Sequence, residues 1–217
     1  GIVSCMTLLS RILGFIRDIV IALFFGAIAA VDAFFIAFKI PNLMRRLFAE
    51  GAFSQAFVPV LAELQQKTSH QQVQLFVSRV SGTLGSLLLL LTLIAILTSP
   101  WITQVFAPGF GTDSIRYEMA TEMLRITFPY LLFISLTAMA GAVLNTYGYF
   151  AIPAFTPVLL NISLIICAIY LAPNLTNPVE ALAWGVLLAG MVQLIFQLPF
   201  LARINLLPIP RVAPKNS

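Results

Sequence analysis

The chain has 217 residues, 60% of them hydrophobic and only 9% charged, with a mean hydropathy of +0.99. Soluble domains are roughly a quarter charged, so water is excluded as the solvent for most of this surface and lipid takes its place. The net charge of +4 and pI near 9.4 point to basic loops on a cytoplasmic face. They do not mark a nucleic-acid partner, because no Lys/Arg-rich run interleaved with aromatics is present.

In a bilayer the backbone must close its hydrogen bonds within helices or a barrel. Barrel strands alternate apolar and polar residues, whereas Leu84 to Leu97 and Ile162 to Leu171 are continuous apolar runs. The sequence therefore predicts an all-α polytopic membrane protein, a bundle of six transmembrane helices over residues 1–203. The first helix is expected over 6–25, ending near Gly26. Arg11, Arg17 and Asp18 interrupt the apolar stretch that a cleavable signal peptide would need.

The second helix is expected over 31–64, roughly 50 Å at 1.5 Å per residue against a hydrocarbon core of about 30 Å. It must tilt, project into water or break, and Pro41, which lacks an N–H, offers the break. Asn42 beside it can bond the backbone groups the proline frees. The third helix is expected over 73–98. A turn-rich stretch from Ala107 to Asp113 follows, and Asp113 or Ser114 is placed to cap the next helix. The fourth is expected over 117–145 with a kink at Pro129, the fifth over 153–171 and the sixth over 179–201. A basic, proline-containing tail occupies 204–217.

Six spans place both termini on one side. Lys67, His70, Arg79, Arg203, Arg211 and Lys215 flank that side, so the termini are expected in the cytoplasm. Small residues recur every fourth position at Ser78, Gly82 and Ser86 and at Ala181, Gly185 and Ala189, a spacing that lets helices approach closely. Cys5 and Cys167 lie in apolar contexts and His70 is the only histidine. Neither a metal site nor a cofactor is expected.

Charge is distributed unevenly. From Ile126 to Ala202 the only charged residue is Glu180, whereas Arg11 to Glu50 holds Arg11, Arg17, Asp18, Asp32, Lys39, Arg45, Arg46 and Glu50. A charge at the centre of a membrane helix costs about 2.5–3.5 kcal/mol on insertion scales, so several in two adjacent helices need partners or water. At 100° per residue, Ser10, Arg11, Gly14, Arg17 and Asp18 share one broad face, opposite Ile12, Ile16, Ile19 and Leu23. Asp32 and Lys39 share a face of the second helix, and Arg46 and Glu50 are spaced to pair. Arg11 can equally snorkel to the interface, and Arg46–Glu50 can be a structural ion pair. Arg17 and Asp32 lie deeper and are the stronger functional candidates.

Basic residues exceed acidic ones in this block, and the planar arginine fork matches phosphate oxygens. Arg11, Arg17 and Arg45 would attract an anionic group such as a phosphate or diphosphate, with Asp32 orienting an arginine or holding a cation. The residues read as a transporter lobe for an anionic solute or lipid headgroup.

Two segments carry a resemblance to a known family. Ser10-Arg11-Ile12-Leu13-Gly14-Phe15-Ile16-Arg17-Asp18 resembles the first-helix signature of the bacterial lipid II flippases of the MurJ/MviN family, and the block from Val31 to Pro59 resembles the segment that follows it. Ala107-Pro108-Gly109-Phe110, Thr127-Phe128-Pro129-Tyr130 and Ile152-Pro153-Ala154-Phe155-Thr156-Pro157 extend the similarity over essentially the whole chain. The resemblance implies a member of the multidrug/oligosaccharidyl-lipid/polysaccharide exporter superfamily. Such proteins move a lipid-linked peptidoglycan precursor across the bacterial inner membrane by alternating access between two six-helix lobes. It implies that Arg11, Arg17, Asp32 and Arg45 match positions linked to transport, and that Asp18, Asn42 and Glu50 match supporting polar positions. The partners it implies are a lipid-linked diphosphate, membrane lipids and a second lobe, which this chain lacks. The turn from Asn145 to Phe150 lacks the basic residue often found there.

Other readings compete. A drug/cation antiporter of the same superfamily would favour acidic cavity residues, against the arginine excess. A membrane enzyme acting on polyprenyl phosphates would need clustered carboxylates or a histidine near a loop, often for Mg²⁺. A lobe that does not transport by itself is the third.

Overall fold

The computed structural model describes residues 1–26, 29–47, 53–111 and 114–207. Every regular element among them is helical: α1 (Ile2–Phe25), α2 (Ala29–Arg45), α3 (Phe53–Lys67), α4 (His70–Leu97), α5 (Ser99–Phe106), α6 (Ile115–Thr127), α7 (Tyr130–Thr146), α8 (Ala151–Ile166) and α9 (Glu180–Arg203). A π turn over Cys167–Leu171 and a 3₁₀ turn over Ala172–Asn174 prolong α8. Four segments are long and apolar enough to cross a membrane: His70–Leu97, Ile115–Thr146, Ala151–Asn174 and Glu180–Arg203. Helix α1 has the length, 24 residues, but carries Arg11, Arg17 and Asp18 along it.

Helix α9 is the centre of the bundle and packs against α6, α7 and α8. Its small residues make this possible. Ala181 and Ala189 are fully buried. A Cβ on Gly185 would stand 3.1 Å from Leu164 Cδ2 and 3.2 Å from Cys167 Cβ, and one on Gly190 would stand 2.9 Å from Tyr130 Cδ2. The Ala181–Gly185–Ala189 ladder is thus a packing seam. In the other ladder Gly82 is buried but Ser86 is exposed, so it forms no continuous seam.

Pro41 does not end its helix, contrary to the expectation from sequence. Helix α2 runs on to Arg45 with Pro41 inside it. Proline at position 41 leaves the carbonyl of Ala37, four residues earlier, without its helical donor. The hydroxyl of Thr127, at the end of α6, donates to that carbonyl at 3.2 Å. Asn42, the residue beside the proline, lies in the wall of a cavity. The same device recurs in α8, where Thr156 Oγ1 donates at 2.8 Å to the carbonyl of Pro153, which Pro157 leaves free. The expected second span, 31–64, corresponds to α2 and α3, with residues 48–52 between them outside the described set.

The expected fourth helix is one span, Ile115–Thr146, kinked at Pro129 as expected: Pro129 cannot donate, and α6 and α7 meet at Phe128-Pro129, both still in the right-handed helical region. Ser114 caps α6, its hydroxyl accepting from the Tyr117 N–H at 3.2 Å; the alternative cap, Asp113, lies outside the described residues. Helix α5, a stretch expected to be loop, is pinned to α6 by a polar ladder. Tyr117 donates to the Pro100 carbonyl at 3.0 Å, Thr121 to Thr103 at 3.1 Å and Arg125 to Ser99 at 2.8 Å. The three α6 residues are four apart and therefore share a face. Helix α5 turns Trp101 and Val105 outward.

Helices α1 and α2 pack on different partners, α1 on α8 and α2 chiefly on α6 and α7. Helix α1 ends at Gly26, whose φ of 63° and ψ of −161° lie in a region that is essentially glycine-only.

Candidate functional site

Arg17 is the best-anchored of the candidate charges. The face of α1 turned to α8 carries Ser10, Gly14, Arg17 and Ile21, spaced three or four apart. Opposite them α8 presents Asn161. Arg17 Nη1 donates to Asn161 Oδ1 at 2.9 Å, and Asn161 Nδ2 donates to the backbone carbonyl of Ser10 at 3.0 Å. With its NH₂ committed to a carbonyl, the amide can only turn its oxygen to the guanidinium. Gly14 keeps the contact close: a Cβ there would sit 3.7 Å from Asn161 Nδ2.

Arg17 also binds its neighbour. Nε and Nη2 donate to the same oxygen, Asp18 Oδ1, at 3.1 and 3.0 Å. Adjacent helical side chains splay apart, so this pair forms only because the arginine stem curls back. Of the five N–H donors of a guanidinium, three are engaged by Asn161 and Asp18. Each terminal nitrogen keeps one N–H for a further acceptor. The Arg17 side chain is 27% exposed and that of Asp18 63%, so the pair is in part reached from outside the bundle.

The remaining candidates are more dispersed than the sequence reading anticipates. Arg11 is exposed and takes part in no hydrogen bond or ion pair among the described residues. Asp32 is exposed between buried Val31 and Ala33 and lies in the first turn of α2. There the partial positive charge of the helix N-terminus supports a carboxylate, by about 0.3–1 kcal/mol. This is a source of stabilisation besides the partners or water that the sequence analysis called for. Lys39, seven residues on, is also exposed. Arg45 is the last residue of α2. Arg46 is exposed, while Glu50, and with it the expected Arg46–Glu50 pair, lies outside the described residues. Among the described residues no ion pair joins the charges of α1 to those of α2, and the carboxylate that engages Arg17 is Asp18, not Asp32.

A second feature lies within the bundle. A half-open cavity of about 700 Å³ is bounded by α2, α3, α7, α8 and α9, with Asn42, Thr137, Asn145, Gln193 and Gln197 in its wall. Asn161, Gln193 and Gln197 are functional candidates that the charge-based reading passed over. Their signal was present: each is an amide within a long apolar run, where polar side chains are costly and usually committed to a partner. No group of three or more His, Cys, Asp or Glu side chains that could hold a metal ion occurs among the described residues.

The helical bundle, its apolar spans and an arginine braced between two of its helices define a polytopic α-helical membrane protein that carries charge on its first helices. Comparison with known proteins narrows the class. The family model described as lipid II flippase MurJ matches residues 21–217, and the chain belongs to that family. The chain is 50% identical over 215 residues to the probable lipid II flippase MurJ of Haemophilus influenzae, covering 96% of this chain and 42% of that protein. It is 46% identical over 212 residues to the lipid II flippase MurJ of Burkholderia cenocepacia, covering 98% and 41%. A solved structure of a lipid II flippase MurJ in an inward closed conformation superposes with a TM-score of 0.73 at 32% identity, covering 89% of this chain and 41% of that one. The chain thus spans about two fifths of the length of the relatives it matches.

Proposed function

We propose that this chain forms the amino-terminal lobe of a lipid II flippase of the bacterial inner membrane, with both termini cytoplasmic. In this reading Arg17 meets the diphosphate of the lipid-linked peptidoglycan precursor as it crosses by alternating access. The observation that carries the reading is the Arg17 guanidinium, held by Asn161 and Asp18 with one N–H on each terminal nitrogen left for a further acceptor. A guanidinium with free donors suits the oxygens of a phosphate. Arg11 on α1, and Asp32 and Lys39 on one face of α2, add further exposed charge. The lobe binds and orients, and no bond is made or broken.

The test is replacement of Arg17 or Asp32 by alanine in a full-length family member carrying this segment. Both variants should insert at normal levels, and each should fail to support cell-wall growth when it is the sole copy. Full growth with both alanine variants would overturn the assignment.

A further inference from the structure

The short helix α5 begins where the hydrocarbon core ends. Arg79 is the last charged residue of α4. Residues 80–97 beyond it measure about 27 Å at 1.5 Å per residue, close to a hydrocarbon thickness of about 30 Å. Arg125 is the last charged residue of the span Ile115–Thr146, and residues 126–146 measure about 31 Å. The two gauges meet, because Arg125 Nε donates to Ser99 Oγ, at the start of α5, at 2.8 Å. Helix α5 therefore rises from the foot of the headgroup layer.

Its two faces differ. Pro100 leaves the carbonyl of Ile96, four residues earlier, without its helical donor. Ser99 Oγ donates to that carbonyl at 3.0 Å while accepting from Arg125. Ser99 and Thr103 are buried, and α6 holds both. Trp101 and Val105, also four apart, form the opposite face and are 62% and 74% exposed. They follow Leu97, the last residue on the exposed apolar side of α4. The Trp101 indole N–H makes no hydrogen bond among the described residues.

Other exposed aromatics show what covers this face. The four apolar spans cross in alternation, so the end of α4, the end of Ala151–Asn174 and the start of α9 share one side. Tyr170, near the end of Ala151–Asn174, and Trp184, one turn into α9, are both exposed there. Exposed Trp and Tyr at span ends are the belt of a membrane–water interface, with the ring among lipid and the N–H or O–H toward water. Trp101 continues this belt onto α5.

We propose that α5 is an interfacial anchor whose Trp101–Val105 face inserts into the headgroup–acyl boundary of the bilayer, with the α6 side chains holding it at that depth. The partner is the lipid surface. In the orientation proposed above this is the outer leaflet, and the depth is independent of that orientation and of the substrate.

The chain has two tryptophans, Trp101 and Trp184, so Trp184→Phe leaves Trp101 as the sole reporter. The test uses the chain in phosphatidylcholine vesicles whose acyl chains carry bromines either near the carbonyl end or near the methyl end, with iodide as the aqueous quencher. Trp101 should lose more emission to the carbonyl-end bromines than to the methyl-end ones, and less to iodide than free tryptophan does. Emission untouched by either lipid overturns the proposal, since the face then lies in water if iodide reaches it and against protein if iodide does not. Equal or greater loss to the methyl-end bromines also overturns it, because α5 would then be part of the span. So does iodide quenching as strong as that of free tryptophan. If Trp184→Phe fails to insert, subtracting the emission of Trp101→Phe from that of the unaltered chain gives the same profile.

Discussion

Asn161 on α8 receives a hydrogen bond from Arg17 on α1 at 2.9 Å and returns one to the same helix at the carbonyl of Ser10. One amide thus clamps α1 at two points seven residues apart, about two turns, and brings together residues separated by 144 positions in the chain.

Replacing Asn161 separates bracing from charge. Asn161→Leu removes the partner of a charged donor and should cost about 1.5–3 kcal/mol of stability, measured by thermal unfolding in detergent. Asn161→Asp keeps an acceptor for Arg17 but places a second carboxylate beside it. Its pyrophosphate affinity should fall at least about tenfold, as the arginine charge is spent internally, with a smaller loss of stability than in Asn161→Leu. Undiminished pyrophosphate binding by Asn161→Asp would mean that Arg17 does not carry the anion site.

Lysine cannot substitute for Arg17. A single ammonium cannot hold Asn161, bind Asp18 through two nitrogens and still present a planar pair of N–H groups. Arg17→Lys in a full-length family member should insert normally yet lose most lipid translocation, read with a fluorescent lipid II analogue in proteoliposomes. Activity near wild type would show that only the charge matters.

The proline inside α2 and the threonine at the end of α6 should behave as a coupled pair. Thr127→Val leaves the Ala37 carbonyl buried without a donor and should destabilise by about 1–3 kcal/mol. In a Pro41→Ala background the backbone N–H of residue 41 serves that carbonyl, so the same change should cost much less. A double-mutant cycle by thermal unfolding reads the difference, and strict additivity would exclude the coupling.

Gly190→Ala places a Cβ 2.9 Å from Tyr130 Cδ2 and 3.1 Å from Phe133 Cβ. At the seam between α7 and α9 the helices must separate, at about 1–3 kcal/mol. Gly85→Ala, with nothing within 4 Å of the added carbon, is the control and should be neutral or slightly stabilising because alanine is the better helix former. Comparing the two melting temperatures checks both.

The membrane orientation can be read with single cysteines in a Cys5→Ser background. Ser69→Cys, between α3 and α4, should react with an impermeant maleimide only after the cytoplasmic face is opened, and Asn177→Cys, before α9, should react in intact spheroplasts. The reverse pattern would invert the topology proposed from the Lys/Arg distribution.

What the sequence made legible was whatever depends on solvent and on neighbours along one helix. Long apolar runs such as Leu84 to Leu97 disclosed membrane helices, and helical phasing put Ser10, Gly14 and Arg17 on one face. Pro41 misled because a proline breaks a helix only if its orphaned carbonyl stays unserved, and the hydroxyl that serves it comes from Thr127, 90 residues away. Helix α5, the eight residues Ser99–Phe106, was missed because a short segment between Pro100 at its start and the turn-rich Ala107 to Asp113 at its end does not look like a helix until three side chains of α6 hold it. Asn161, Gln193 and Gln197 were passed over because attention to charge discounts amides, although a buried amide obeys the same demand for a partner. The support of Asp32 by the end of its own helix stayed hidden, because it is a backbone effect that depends on where the helix begins.

The left-handed Gly26 connects two helices that owe their positions to different neighbours. The distance between Arg17 on one and Asp32 on the other therefore follows from where α8 and α6 sit in the bundle. In the flippase lobe proposed above, a shift of either partner helix would carry its own charged arm with it.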